Sequence, residues 1–267
     1  MKPYNPALAL LTFVRLIGKN VLLFSKRVGK FFLFVMNSVF YAFLRPFYFK
    51  QFFKSMIDIG FFSVPVVGLT AVFTGAVLVL QSYTGFSRFS AESGIPTVVV
   101  LSITRELGPV LTGLMVAGRM GSSIAAELAT MKVTEQIDAL TTLSVNPIKY
   151  LVTPRVIAGV IVFPLLVLIA DSIGILGGYI VATDVLSFNK AIYLKNTMEY
   201  LEIDDVISGI IKAAIFGFIV TICGCYNGIS SKRGAYGVGI ATINAVVMSS
   251  ILILFFNYIT TGILFNK

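Results

Sequence analysis

Arg105 and Glu106 stand side by side inside 95–118, a stretch otherwise apolar enough to cross a bilayer. Each charge at a helix centre costs about 2.5–3.5 kcal/mol on insertion scales, so such a pair is kept where it faces protein or a wet cavity, and it marks a functional site. Neighbouring helical residues point about 100° apart, so the two cannot bond well to each other and each needs its own partner. Lys212, in a later apolar stretch, is one partner open to Glu106; its long stem could instead snorkel to the headgroup level. Gly108 and Pro109 follow at once. This proline has no N–H and clashes with the carbonyl four residues back, which predicts a kink beside the charges. Two uses fit a kinked, charged site: a cavity that accepts polar headgroups, or a buried ion-pair network that fixes helix packing.

Other chemistries lack their residues. The chain has no histidine and two cysteines, Cys223 and Cys225, both in one apolar segment. Histidine bases, His-ligated metals, a disulfide framework and a CxxC site are therefore excluded, and the cysteine pair reads as packing. No serine or cysteine nucleophile stands beside a base, and no carboxylates cluster at metal-ligand spacing. No GxxxxGK[ST] loop occurs, so any nucleotide hydrolysis that drives this protein belongs to another polypeptide.

The elements that must position these charges are membrane helices. Of 267 residues, 57% are hydrophobic and 12% charged, and the mean hydropathy is +0.93. That profile belongs to an integral membrane protein. Five stretches reach the ~20 apolar residues that a span requires, at 57–83, 95–118, 156–182, 206–228 and 238–265. The first holds Pro65 and is open to a bent or re-entrant form. Gly174 and Gly178 form a GxxxG match in the third. The fold class is all-α, one domain over 1–267, with no internal repeat of the kind secondary transporters carry.

The net charge of +9 does not point to nucleic acid, because of where it sits. Nine Lys and Arg lie between Lys2 and Lys54 with no acid among them, and the rest of the chain is balanced at 12 basic and 12 acidic residues. Interleaved with aromatic and aliphatic residues, the basic segment 1–54 reads as an amphipathic interfacial helix or a positive-inside anchor. With that segment in the cytoplasm, the inside segments hold fifteen Lys and Arg and the outside segments four. This places 119–155 in the cytoplasm, and the acidic loop 199–205 and the C-terminus outside. Within 119–155, Met131, Val133, Ile137 and Leu140 recur at helical spacing beside Lys132, Glu135, Gln136 and Asp138, and Asn146-Pro147 ends the run. Such a helix offers a docking surface.

Three motifs follow in order from Thr104: Glu-Leu-Gly-Pro, Gly-Arg-x-Gly-Ser and Thr-Glu-Gln-Ile-Asp. Asn-Pro and Pro-Arg come after them, and Gly-Ala-Tyr-Gly-Val-Gly lies at 234–239. Dense from Thr104 to Gly159, the pattern closely resembles the MlaE (YrbE-type) permeases of lipid-transporting ABC systems. The N-terminal fifty residues match in character only. The resemblance implies an MlaE-type fold, with an N-terminal interfacial helix and about five membrane helices in each protomer of a homodimer. It implies no cofactor in this chain, since ATP and Mg²⁺ belong to a cytoplasmic ATPase dimer. That ATPase would dock on the segment holding Glu127, Lys132, Glu135, Gln136 and Asp138, and a periplasmic MCE-domain protein would exchange the lipid. It places Arg105, Glu106 and Lys212 by the lipid cavity, the cations toward phosphate. Where relatives commonly have Arg, this chain has Ile240, which would either leave more of the phosphate binding to Arg105 and Lys212 or change the headgroup preference. The expected function is glycerophospholipid movement across the envelope to maintain outer-membrane lipid asymmetry. The absence of a transit-like N-terminus points to a bacterial inner membrane rather than a plastid envelope. An intramembrane lipid-modifying enzyme and an ion-coupled secondary transporter are the alternatives.

Overall fold

Apolar stretches in lipid must satisfy their own backbone hydrogen bonds, and helices are how this chain does so. The computed structural model describes residues 6–265, so Lys2 and Lys267 lie outside the described residues. The N-terminal basic segment divides in two. Helix α1 (Pro6–Ala42) carries Lys19, Lys26, Arg27 and Lys30 exposed. Near its C-terminal end Phe31 and Phe34 set their rings edge-on to Tyr226, at 5.1 and 5.5 Å between centroids, a favoured aromatic geometry. Lys50 and Lys54 belong to the next helix, α2 (Phe49–Phe89).

The break in α2 is at Gly60, followed by one 3₁₀ turn at Phe61–Ser63, after which helix resumes as Val64–Phe86. Pro65 sits in the first turn of that continuation, where a missing N–H costs little. Twenty-three residues rise about 34 Å, enough for the ~30 Å hydrocarbon layer. The first span is therefore one continuous helix long enough to cross, with no turn back within it.

The remaining helices are α3 (Glu92–Val133), α4 (Gln136–Thr142), α5 (Ile148–Val185), α6 (Lys190–Tyr200), α7 (Ile203–Ile229) and α8 (Ala235–Phe265). Among the described residues α2, α3, α5, α7 and α8 are long and apolar enough to cross a membrane, and no strand is present. The expected spans are right in number and short at their ends. Helix α3 runs past Gly118 to Val133, so Met131 and Val133 close it, while Ile137 and Leu140 lie on the separate α4. The division falls at Glu135, whose φ of 60° is left-handed and ends a right-handed helix. Asn146 opens α5 as well as ending the loop, its Oδ1 accepting from the Ile148 N–H at 3.0 Å.

Helices α5 and α7 form the centre, with α2 against α5 and with α3 and α8 against α7. Lipid tails are as apolar as leucine, so close packing rather than water exclusion must join helices here. Glycine permits it at two seams. A Cβ on Gly75 of α2 would fall 1.9 Å from the Gly174 carbonyl oxygen of α5, and one on Gly217 of α7 would fall 2.5 Å from that of Gly159. Gly174 and Gly178 of the GxxxG match both face α2. Cys223 and Cys225 are fully buried in the α7 core beside Val220 and Ile222.

Candidate functional site

The charges lie on a defect in α3. Residues Ile103–Leu107 form a π turn, in which the Gly108 N–H bonds back five residues to the Ile103 carbonyl. Pro109 explains its place: a proline cannot donate to the carbonyl of Arg105, and an extra residue accommodates the misfit. The expected kink is thus taken up as a π turn. A second π turn, Ala117–Gly121, follows lower in the same helix.

Lys212 of α7 is the hub. Its Nζ donates to Glu106 Oε1 at 2.6 Å, to the Arg105 carbonyl at 2.8 Å and to Thr261 Oγ1 of α8 at 2.8 Å. Thr261 in turn donates to Glu106 Oε1 at 2.8 Å, and Asn257 Nδ2 donates to Oε2 at 2.9 Å. The Lys212 side chain is 0% exposed, so it does not snorkel; Glu106 is 36% exposed. A lone buried ammonium would be very costly, and three acceptors with one counter-charge are what make it tolerable.

Arg105 turns elsewhere, as adjacent residues on a helix must. Its Nε meets Asp205 Oδ1 at 2.5 Å; Asp205 is 1% exposed and Arg105 34%. Asp205 also anchors the start of α7, where its side chain accepts from the Glu202 N–H and Glu202 reciprocates as a capping box. At that crossing a Cβ on Gly209 would come within 2.7 Å of the Thr104 carbonyl oxygen. The pairing of Glu106 with Lys212 was open to sequence reading; Asp205, Asn257 and Thr261 were missed. Asn257 and Thr261 left one signal, two polar residues four apart in the last apolar span. Asp171 of α5 was missed too. It is buried against Gly108, and its Oδ1 has no hydrogen-bond partner among the described residues.

Ile240 does not belong to this site. It lies near the start of α8 beside Lys232 and Asn227, whereas Asn257 is about 26 Å further along the same helix at 1.5 Å per residue. The expectation that Arg105 and Lys212 compensate for an arginine missing at 240 therefore has no spatial basis within one chain.

The five residues expected at a docking surface part company. Glu127 Oε2 bonds Arg155 Nη2 at 2.8 Å. Lys132 Nζ donates to the carbonyls of Ile229 and Ser231, both at 2.7 Å, and so caps the C-terminus of α7. Glu135, Gln136 and Asp138 are exposed together, with Arg233 Nη2 at 3.8 Å from Glu135 and 4.0 Å from Asp138. Such loose surface pairs contribute little and leave these side chains available.

Residues 52–263 match the family model described as Permease MlaE. A probable ABC transporter permease protein of Rickettsia typhi is 59% identical over 257 residues, covering 96% of this chain and 99% of that one. The intermembrane phospholipid transport system permease protein MlaE of Haemophilus influenzae is 33% identical over 260 residues, with 96% and 99% covered. The chloroplastic protein TRIGALACTOSYLDIACYLGLYCEROL 1 of Arabidopsis thaliana is 37% identical over 204 residues, 76% of this chain and 58% of that one. With five spanning helices, a charged site on the second of them, and a match over most of its length, the chain belongs to the MlaE permease family of ABC transporters.

Proposed function

We propose that the chain forms a homodimer that moves glycerophospholipid between the inner membrane and a periplasmic MCE-domain carrier, which maintains outer-membrane lipid asymmetry. A cytoplasmic ATPase dimer binds the ATP and Mg²⁺ and docks on the exposed corner at Glu135, Gln136 and Asp138. The N-terminus is cytoplasmic and the C-terminus periplasmic, supported by fifteen Lys and Arg against four. The observation that carries the reading is the unequal exposure of the two membrane cations. Lys212 is sealed in the network, whereas Arg105 is held by Asp205 and stays partly exposed. A guanidinium fixed in this way suits a phosphate ester in a lipid cavity. Glu106 then acts through Lys212, by keeping α3, α7 and α8 in register behind the cavity.

The test is ATP-dependent transfer of a fluorescent phospholipid from liposomes holding the reconstituted permease and ATPase to the soluble carrier. Arg105→Ala is expected to lose transfer while the dimer and its ATPase stay associated. Undiminished transfer would overturn the assignment.

A further inference from the structure

At the end of the bundle opposite Asp205 a cavity of about 310 Å³ opens between α2, α3 and α5, within the ~300–1,000 Å³ range of small-ligand clefts. Lys54 and Asp58 line it from α2, Arg119 and Glu127 from α3, and Arg155 from α5, with Phe62 as an apolar wall. These charges are not all spent on one another. Arg155 Nη2 holds Glu127. Arg119 Nη1 donates to Ser63 Oγ at 2.8 Å and to the Asp58 carbonyl at 3.4 Å, and its guanidinium carbon lies 5.9 Å from the Phe62 ring centroid. Those contacts fix Arg119 by one nitrogen of a five-donor fork. Among the described residues neither the Lys54 ammonium nor the Asp58 carboxylate forms an ion pair. Beyond the Arg155–Glu127 pair, the cavity offers two cations and one carboxylate.

A simple anion would meet Arg119 and Lys54 but also the like charge of Asp58, and like charges in one site disfavour each other. A ligand carrying both signs satisfies all three. We propose that this cavity holds the headgroup of a zwitterionic phospholipid with a primary ammonium, its phosphate on Arg119 and Lys54 and its ammonium on Asp58. The acyl chains follow the outer face of α2, where Phe62, Val66, Leu69 and Phe73 are exposed at spacings of three and four residues that share one helix face. The inference rests on the phospholipid reading above. With the orientation given there, it adds a second headgroup site in the cytoplasmic leaflet, away from Arg105.

Ser123 lines the same cavity and is exposed, while Cys223 and Cys225 are buried, so Ser123→Cys reports on the cavity through its rate of maleimide labelling. The full-length chain is placed in nanodiscs of phosphatidylethanolamine, of phosphatidylglycerol, or of lipids with uncharged headgroups to which inorganic phosphate is added. Labelling is expected to be about ten-fold slower in phosphatidylethanolamine than in phosphatidylglycerol, the effect of one charge-assisted hydrogen bond. Asp58→Asn should abolish that preference, and Lys54→Gln, at an exposed position that leaves the Arg119 contacts in place, should restore fast labelling. Equal rates in the two lipids overturn the proposal, as does equal protection by inorganic phosphate, which would make this a free-anion site. Lipid transfer by the same variants, measured as above with the ATPase and the soluble carrier present, separates the two claims. Transfer without protection removes the second site only; protection without transfer removes the transport reading and keeps the site.

Discussion

Lys212 Nζ donates at 2.8 Å to the carbonyl of Arg105, the acceptor that Pro109 deprives of its ordinary helical donor. One ammonium thus repairs a backbone defect in α3 and neutralises Glu106 at once. This divides the membrane charges by role. In the proposed mechanism Lys212 and Glu106 serve as the frame, and Arg105, with Asp205 behind it, is the group that meets the ligand.

Lys212→Met should be severely destabilising, because it leaves Glu106 facing the bundle without its counter-charge. Removing one partner of a fully buried pair costs about 3–5 kcal/mol, and less where the partner left behind is partly exposed, as Glu106 is, whereas replacing both is often near neutral. Adding Glu106→Gln should therefore recover more than half of the loss. Denaturant unfolding of the full chain in mixed micelles reads this out, and additive penalties would show that the pair is not coupled.

Asp205→Asn keeps an acceptor for the Glu202 N–H and removes the charge that holds Arg105. Helix content and assembly should be preserved, while lipid transfer drops about ten-fold, the worth of one charge-assisted hydrogen bond. Asp205→Ala loses the cap as well and should cost about 1 kcal/mol more in stability. Wild-type transfer by the Asn variant would detach Asp205 from the positioning of Arg105.

Two glycines in α3 make opposite predictions. A Cβ on Gly108 would lie 1.7 Å from Asp171 Oδ1, and one on Gly118 meets nothing within 4 Å. Gly108→Ala should cost about 1–3 kcal/mol by overpacking, and Asp171→Ala should relieve part of it. Gly118→Ala should be neutral or stabilise by about 0.5–1 kcal/mol through chain entropy. Thermal unfolding midpoints of the three variants decide the matter.

At the basic end, Lys132→Met uncaps α7 and leaves two carbonyls without a donor, a loss of about 1–3 kcal/mol. Glu135→Lys changes an exposed residue and should leave stability alone while weakening capture of the ATPase. Co-purification and ATP turnover, set beside the unfolding midpoints, separate the two effects. Unchanged capture by Glu135→Lys would move the docking surface elsewhere.

The number of spans was legible because lipid leaves a chain few alternatives, and apolar length reports directly on that constraint. The ends were not, since nothing obliges a helix to stop where the bilayer does: Arg119 and Lys132 continue α3 in a polar setting as readily as apolar residues do within the bilayer. Charges inside spans were legible for the same energetic reason, which is how Arg105, Glu106 and Lys212 could be selected. Their neutral partners were not, because Asn257 and Thr261 carry little insertion penalty alone. Asp205 was hidden by its neighbours and read as part of an acidic loop. Lys132 looked like a surface charge, although its ammonium is spent on backbone carbonyls more than ninety residues away.

The π turn at Ile103–Leu107 also bears on how this segment can change over time. It is in effect a one-residue insertion frozen into a helix, and each helical residue turns the chain by about 100°. Deleting a single residue there would leave length, hydropathy and every motif nearly intact. It would also return the turn to ordinary α-helix with the flanking halves in their present register, and so remove the bulge on which Arg105 and Glu106 stand beside Lys212. Related chains should therefore vary here in which residues they use and hold fast in how many.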